Sequence, residues 1–274
     1  MLEFLKAILF GIVEGITEWL PISSTGHMIL LNEFVRLDVR EEFWEMFLVV
    51  IQLGAILAVV LLFWKKLFPI TRRKGKYTLD SDIMEMWYKV IVACIPAAII
   101  GVFFDDILEK YLYNYVTVSL ALIIFGIAFL FIEEKNKNRK AVITTIKDIT
   151  WKTAAIIGVF QLIAAIFPGT SRSGATILGA LLIGVSRTVA AEFTFFLAIP
   201  VMLGASMLKI LKFGFEFTGK EAGLLATGMA VAFLVSVFVI KFLMDYIKKN
   251  DFKVFGWYRI ALGALVLLYF GIIA

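Results

Sequence analysis

Two glutamates near the N-terminus, Glu14 and Glu18, lie four residues apart within an apolar stretch of the sequence. Side chains at this spacing share one face of a helix, so both carboxylates point towards the turn that begins at Pro21. A charged group at bilayer depth costs at least about 2.5 kcal/mol and normally faces a partner, an ion or water. The pair is therefore predicted to serve a chemical function rather than to form a solvated helix end.

The turn after Pro21 carries three hydroxyl side chains and a histidine, namely Ser23, Ser24, Thr25 and His27. His27 is the only histidine in the chain. A lone histidine is more often a structural residue, but one beside two carboxylates and a serine is a candidate acid, base or nucleophile. We therefore predict that this turn is catalytic.

A second polar turn, Pro168–Thr176, interrupts another apolar stretch and contains Arg172. Its glycines and hydroxyls open into an apolar helix, whose N-terminus favours an anion. The planar guanidinium can bind two phosphate oxygens through parallel hydrogen bonds, which a lysine cannot match. The turn is therefore predicted to bind phosphate rather than to carry an arginine that snorkels to the interface. The predicted phosphate contacts are Gly169, Thr170, Ser171, Ser173 and Thr176, with Ser23 and Thr25 of the first turn.

Two carboxylates beside a bound phosphate would repel it unless a cation neutralised them. Oxygen ligands favour Mg2+ or Ca2+, so Glu14 and Glu18 are predicted to bind a divalent cation that bridges carboxylate and phosphate. Glu45 and Glu192 lie near the starts of two later apolar stretches. They are interpreted either as partners of the polar turns or as carboxylates at the membrane interface, and the sequence does not choose between the two.

The elements that must position these residues are predicted to be membrane helices. Hydrophobic residues make up 61% of the 274 residues and charged residues only 18%, against about 45–50% and about 25% in soluble domains. Six apolar stretches are each long enough to cross the hydrocarbon core as a helix of about 20 residues. They are 43–64, 87–104, 116–132, 189–211, 224–246 and 256–273.

Two further apolar stretches, 4–31 and 154–185, are each interrupted midway by one of the polar turns. Neither is predicted to be one continuous helix, and both are interpreted as re-entrant hairpins. The N-terminal apolar run contains two glutamates and no small-residue cleavage site, so we expect it to be retained. The single cysteine, Cys94, lies within a predicted span and is interpreted as a packing residue.

The net charge of +5 arises from basic residues in short loops beside the spans, and nucleic acid is rejected as a partner. Loops 65–86, 133–153, 186–188 and 241–255 hold 17 cations, whereas the opposite set of loops and the N-terminus hold 7. Because positive charge is enriched in cytoplasmic loops, both termini are predicted to lie outside. The first polar turn would then enter the membrane from the extracytoplasmic side.

The two halves of the chain resemble each other when one is displaced by 147 residues. Each copy is a broken hairpin followed by three spans, and this odd number makes the second copy enter from the opposite side. We predict an all-α polytopic membrane protein with an inverted-topology repeat, six full spans and two re-entrant helical hairpins. It forms one membrane domain, 1–274, made of repeat 1 (about 1–140) and repeat 2 (about 150–274). The two polar turns are expected to meet at the centre. The shift aligns Gly11 with Gly158, Glu14 with Gln161, Pro21 with Pro168, Ser23 with Thr170, Ser24 with Ser171 and Glu45 with Glu192.

The two turns resemble the paired signature motifs of the undecaprenyl-diphosphate phosphatases, also called the bacitracin-resistance family. The resemblance covers Glu14–His27, Pro168–Thr176, Val49–Gly54 and Gly184–Arg187, with Glu192 before the next span. The length and the order of the spans also agree over essentially the whole chain.

The resemblance implies removal of the terminal phosphate from undecaprenyl diphosphate, which returns the monophosphate carrier to cell-envelope synthesis and confers bacitracin resistance. It implies a multi-pass protein of the bacterial plasma (inner) membrane with its active site facing the extracytoplasmic side. Its partners would be the polyprenyl diphosphate and membrane lipids, and homo-oligomerisation stays open. The catalytic residues that the resemblance carries over are Glu14, Glu18, Ser24, His27, Ser171, Arg172 and Ser173.

One position departs from the pattern of the family. Members often carry an acid four residues before the glutamine of the first span, where this chain has Leu48. The departure puts the family role of that acid in doubt in this chain. Glu45, one turn earlier, is a candidate to compensate for it.

The chemistry leaves several mechanisms open. Ser24 can attack the terminal phosphorus and pass its proton to His27 or to a glutamate, while Arg172 and the cation balance the charge. His27 can itself be the nucleophile, or a carboxylate can activate water. A lipid transporter with the same phosphate-binding turn is the alternative from another class, because inverted repeats with broken helices are typical of secondary carriers.

Overall fold

A computed structural model describes residues 1–73 and 76–273 of the chain. Lys74, one of the loop cations counted above, and Ala274, the end of the predicted domain, lie outside the described residues. The described helices are α1 (Leu2–Thr17), α2 (Ser24–Phe34), α3 (Glu41–Val50), α4 (Gln52–Leu62), α5 (Trp64–Leu67), α6 (Ser81–Leu112), α7 (Tyr115–Asn136), α8 (Trp151–Ile166), α9 (Arg172–Leu182), α10 (Arg187–Phe213), α11 (Gly219–Tyr246) and α12 (Lys253–Leu268). A 3-10 turn covers Ile146–Asp148, and a π-helical turn covers Tyr269–Ile273.

The six predicted spans are confirmed as long apolar helices. Among the described residues, the helices long and apolar enough to cross a membrane are Glu41–Leu62, Ser81–Phe104, Tyr115–Asn136, Arg187–Phe213, Gly219–Tyr246 and Lys253–Ile272. The first consists of α3 and α4, which meet at Ile51 with helical backbone angles of −61° and −23°. Several helices extend beyond the apolar stretches that predicted them, because hydropathy does not detect the polar residues in the first and last turns of a helix.

A two-stranded antiparallel hairpin between α5 and α6 is an addition to the predicted architecture. β1 (Ile70–Arg73) pairs with β2 (Lys76–Leu79), with Ile70 opposite Leu79 and Arg73 opposite Lys76. The residues of β2 are exposed. None of the predicted site residues lies on this hairpin.

Each apolar stretch that carries a polar turn is broken into two helices. The first turn separates α1 from α2, and the second separates α8 from α9. The second helix of each broken stretch, α2 or α9, is called its inner helix. Each inner helix has 11 residues, which corresponds to a length of about 16 Å, whereas the hydrocarbon core is about 30 Å thick. Neither inner helix can cross a bilayer alone, and the re-entrant path of the two hairpins stays a prediction.

The first helix of each half packs on a long helix of the other half. α1 packs on α11, and its counterpart α8 packs on α6. A Cβ added to Gly11 would lie 2.7 Å from the carbonyl oxygen of Gly228, and one added to Gly158 would lie 2.6 Å from that of Ala93. The two contacts are reciprocal, as a twofold relation between the halves would make them, and the inverted repeat stays a prediction.

The main apolar core surrounds the two polar turns. Trp19 and Ile22 of the first turn are buried in the same cluster as Ile177 of α9 and Phe195 of α10. The rings of Trp19 and Phe195 meet edge to face, with centroids 5.2 Å apart. The irregular backbone of the turns is therefore enclosed by protein, which is where such backbone is tolerated at membrane depth.

Candidate active site

Two serines in an uncommon backbone conformation begin the inner helix of each hairpin. Ser23, with φ of 73°, accepts a hydrogen bond from the Gly26 N–H at 3.4 Å, and Ser171, with φ of 68°, accepts one from the Gly174 N–H at 3.1 Å. Among the described residues, they are the only non-glycine residues with positive φ. Such a conformation costs about 1–3 kcal/mol, and it persists where the surrounding structure fixes it, often at functional sites.

The equivalence of these two caps corrects the predicted alignment of the turns. The shift of 147 residues pairs Ser24 with Ser171, whereas the structure gives Ser23 and Ser171 the same conformation and the same capping bond. Counted from its proline, the second turn therefore holds one residue more than the first. As a result, Arg172 occupies the place in α9 that Ser24 occupies in α2, so one helix start presents a hydroxyl and the other a guanidinium.

The carboxylate of Glu18 joins the two turns. Its Oε2 accepts a hydrogen bond from Ser24 Oγ at 2.9 Å, and its Oε1 pairs with Arg172 Nη2 at 3.0 Å. The side chains of Glu18 and Arg172 are only 7% and 13% exposed, so little water competes for this pair. The structure thus brings an acid, a serine and the arginine that is predicted to bind phosphate to one point.

Hydroxyl groups of the second turn hold the backbone around this point. Ser173 Oγ donates to the carbonyl oxygen of Glu18 at 3.0 Å and lies 3.1 Å from Ser171 Oγ. Thr176 Oγ1 donates to the carbonyl oxygen of Arg172 at 2.9 Å. In the described contacts, Ser173 and Thr176 therefore position the turns, whereas the sequence predicts that they contact phosphate.

Buried polar atoms of three predicted site residues have no hydrogen-bond partner among the described residues: Glu14 Oε1, Thr170 Oγ1 and Arg172 Nε. An unpaired buried group of this kind costs about 1–3 kcal/mol, so such atoms are rare in folded proteins. The Thr25 side chain also makes no hydrogen bond within the described part of the chain. A phosphate oxygen could accept from the guanidinium N–H, and a cation could bind the free carboxylate oxygen.

The two carboxylates differ in their fit to a divalent cation. Glu14, 1% exposed, keeps a free oxygen, whereas both oxygens of Glu18 already have partners. In the described residues, no group of three or more His, Cys, Asp or Glu side chains could hold an ion. Mg2+ is usually held by one or two carboxylates together with substrate phosphates and water. The donor set therefore fits a cation that is shared with a phosphate ligand, with Glu14 as the better placed of the two predicted ligands.

The imidazole of His27 contacts α12 rather than Ser24. Its Nδ1 lies 2.7 Å from the carbonyl oxygen of Ser23, and its Nε2 lies 2.7 Å from the hydroxyl of Tyr258. The His27 and Tyr258 rings are nearly parallel, at 5°, with centroids 5.6 Å apart. No described hydrogen bond joins His27 to Ser24 or to a glutamate, although the histidine lies on the same turn as the serine.

A second residue of α12, Arg259, ties the two turns together and was not predicted as a site residue. Its Nη1 donates to the carbonyl oxygen of Pro21 at 3.2 Å, and its Nη2 donates to those of Gly169 at 3.1 Å and Thr170 at 2.7 Å. The side chain is completely buried. A signal was present in the sequence, because Arg259 lies within the apolar stretch 256–273, where a charge requires a partner.

Glu45 and Glu192 do not contact the polar turns in the described ion pairs. Glu45, half exposed, lies 3.6 Å from Lys209 Nζ, and Glu192 lies 2.6 Å from Lys66 Nζ. Glu45, near the start of the first span, thus pairs with a lysine near the end of α10, and Glu192, near the start of α10, pairs with a lysine on α5, just after the first span. Leu48 packs against an apolar cluster, and a role for Glu45 in place of the acid missing at that position stays a prediction.

Known proteins match the sequence of this chain over nearly its full length. The sequence profile of the family described as bacitracin resistance protein BacA matches residues 7–265. An undecaprenyl-diphosphatase of Desulfitobacterium hafniense is 66% identical over 98% of this chain and 97% of its own length. Undecaprenyl-diphosphatase 1 of Clostridium acetobutylicum is 64% identical over 99% of both chains, and an undecaprenyl-diphosphatase of Enterococcus faecalis is 63% identical over 97% of both.

Proposed function

We propose a mechanism for this chain, which belongs to the bacitracin resistance protein family, BacA, and hydrolyses undecaprenyl diphosphate to undecaprenyl phosphate and inorganic phosphate. The observation that carries the mechanism is the junction at Glu18, where Ser24 and Arg172 bind the two oxygens of one carboxylate. Recycling of the lipid carrier follows from the reaction. Bacitracin resistance follows as well, because the drug sequesters the diphosphate that the reaction removes.

Ser24 is the nucleophile and Glu18 is its base. Ser24 Oγ already donates to Glu18 Oε2 at 2.9 Å, whereas His27 is bonded elsewhere. In the first step the Oγ–P bond forms, the bond from the terminal phosphorus to the bridging oxygen breaks, and Glu18 takes the serine proton. Undecaprenyl phosphate leaves. Water then attacks the phosphorus of the phosphoserine, the Oγ–P bond breaks, and Glu18 returns its proton to Ser24 Oγ. The oxygen and both hydrogens of the water leave with the inorganic phosphate.

Arg172 binds the oxygens of the phosphoryl group that is transferred. Its Nη1 is held by the carbonyl oxygen of Thr194 at 3.0 Å, and its Nε is buried without a partner among the described residues. When Glu18 accepts a proton, it loses the negative charge that pairs with Nη2. The guanidinium is then free to neutralise charge on the phosphoryl oxygens at the moment when that charge develops.

Glu14 holds the divalent cation in this proposal, with Glu18 beside it. When bound, the cation supplies positive charge that neutralises the diphosphate and orients it. The free Oε1 of Glu14, buried next to the turn, supports this assignment. Mg2+ and Ca2+ both suit oxygen ligands, and the metal requirement of the reaction distinguishes them.

We place the active site at the extracytoplasmic side of the bacterial plasma membrane. The support is the distribution of loop cations, 17 on one side and 7 on the other, which favours outside termini and a first hairpin that enters the membrane from outside. The diphosphate would enter between the two turns, while the polyprenyl tail remains among the apolar helices.

Purified protein in detergent tests the proposal directly. We expect phosphate release from undecaprenyl diphosphate that EDTA abolishes and that Mg2+ or Ca2+ restores. Arg172→Lys and Glu18→Gln should release phosphate at least about a hundredfold more slowly. If the folded wild type released no phosphate with either metal, a lipid carrier with the same phosphate-binding turn would be the better account.

A further inference from the structure

Tyr258 lies one residue before Arg259 on α12, and the two side chains serve different parts of the site. Arg259 donates to backbone carbonyl groups of both turns. The Tyr258 hydroxyl lies 2.7 Å from His27 Nε2, and its ring stacks on the imidazole. Successive residues of a helix point about 100° apart, so a single turn of α12 reaches both the backbone of the turns and their histidine.

The partners of His27 determine where its proton lies. The Ser23 carbonyl oxygen, 2.7 Å from Nδ1, can only accept a hydrogen bond, so Nδ1 must carry the hydrogen. In the neutral imidazole the other nitrogen, Nε2, then has a lone pair and no hydrogen. The Tyr258 hydroxyl is the donor that satisfies that lone pair.

We propose that Tyr258 is a positioning residue that fixes the ring orientation and the Nδ1–H tautomer of His27. Two hydrogen bonds on opposite sides of the ring, together with the parallel stack, leave the imidazole no freedom to flip about its χ2 angle. Without the phenol hydroxyl, the Ser23 carbonyl would be the one polar group among the described residues that orients the ring. The tautomer follows from geometry alone, whereas an effect on turnover rests on the proposed function and on a further role for His27 that the mechanism at Glu18 does not itself include.

Because the chain has one histidine, selective labelling with 15N-histidine gives one pair of imidazole nitrogen signals, which tests the proposal without an activity assay. In the wild type we expect one protonated nitrogen, Nδ1, and one unprotonated nitrogen, Nε2. Tyr258→Phe keeps the stacked ring and removes the hydroxyl. It should shift the Nε2 signal and increase the fraction of the other tautomer.

Phosphate release by the same variant tests the consequence for turnover. Tyr258→Phe should lower kcat about tenfold, the loss expected for one oriented hydrogen bond, and leave KM unchanged. Tyr88→Phe is the matched control, because Tyr88 is exposed to a similar degree, 52% against 45%, and lies on α6. The control should change neither the imidazole signals nor kcat.

The imidazole nitrogen signals and kcat together distinguish a failure of the Tyr258–His27 contact from a failure of the proposed mechanism. Wild-type imidazole signals in Tyr258→Phe would overturn the contact, whether or not the protein hydrolyses the lipid. Shifted signals with an unchanged kcat would overturn the positioning role while leaving the mechanism at Glu18 intact. A wild type without phosphatase activity would overturn the proposed mechanism, and the nitrogen signals would still decide the tautomer.

Discussion

Glu18 and Arg172 are 154 positions apart in the sequence, yet their side chains form an ion pair of 3.0 Å across the two polar turns. Without the other turn, each turn would leave an unpaired charge inside the apolar part of the protein. The ion pair between the turns neutralises both charges. Buried pairs of this kind add little net stability, but removing one partner leaves the other charge uncompensated. The pair therefore links assembly of the site to its chemistry.

Neutralising either member of this pair should affect activity more than the removal of other buried charges does. Glu18→Gln retains the shape of the side chain but cannot accept the serine proton, so phosphate release should fall by about 10²–10⁴-fold. Glu192→Gln, whose parent carboxylate pairs with Lys66 away from the turns, is the matched control. Equal losses in the two variants would contradict the assignment of Glu18 as the base.

Removing metal should stop the reaction, and Glu14 should set how much metal is needed. We expect EDTA to abolish phosphate release and Glu14→Gln to raise the Mg2+ concentration for half-maximal rate by at least about tenfold, because its free oxygen is a cation ligand. Titration of phosphate release with Mg2+ and with Ca2+ measures this. An unchanged metal requirement in Glu14→Gln would show that the cation binds elsewhere.

Arg259 should matter for folding as well as for turnover. Arg259→Met leaves carbonyl groups of both turns without their donor, and the loss of stability should be at least about 2 kcal/mol. Thermal unfolding in detergent measures the change. Lys89→Met is the control, since Lys89 is also buried at membrane depth but pairs with the half-exposed Glu85 of its own helix. If Arg259→Met were no less stable than that control, Arg259 would not hold the turns together.

Gly158 should resist substitution because α8 lies directly against α6. A methyl group there would lie 2.6 Å from the carbonyl oxygen of Ala93, so Gly158→Ala should destabilise the protein by about 1–3 kcal/mol. Gly204→Ala is the control, because a Cβ at Gly204 would meet nothing within 4 Å. It should be neutral or stabilising by up to about 1 kcal/mol, the difference in helix propensity. A Gly158→Ala protein as stable as the wild type would show that the close packing of α8 on α6 does not contribute to stability.

Much of the fold could be predicted because the solvent is lipid. Long apolar stretches predict spans, and a charge inside such a stretch is rare enough to mark Glu14, Glu18 and Arg172 as functional. The alignment of the turns could not be predicted from residue types, because the equivalence of Ser23 and Ser171 lies in backbone angles. The repeat signal in the flanking helices favoured a shift that differs by one residue.

The contribution of α12 was missed for a different reason. Tyr258 and Arg259 reach the turns only because α12 packs closely on α7, where a Cβ on Gly126 would lie 2.7 Å from the carbonyl oxygen of Gly256. That contact sets the rotation and depth of the helix, and neither follows from hydropathy. Arg259 carried a signal as a charge inside a span, whereas Tyr258, an ordinary aromatic residue in a membrane helix, carried none.

In the proposed mechanism Ser24 attacks phosphorus with Glu18 as its base, and the rate of phosphate release by purified Ser24→Ala decides whether it does. With undecaprenyl diphosphate and saturating metal, we expect a rate lower than that of the wild type by about 10³-fold or more, because in the described contacts Ser24 is the hydroxyl that donates to the proposed base, Glu18. A folded Ser24→Ala protein with a rate within tenfold of the wild type would contradict the account and would leave attack by His27 or by an activated water.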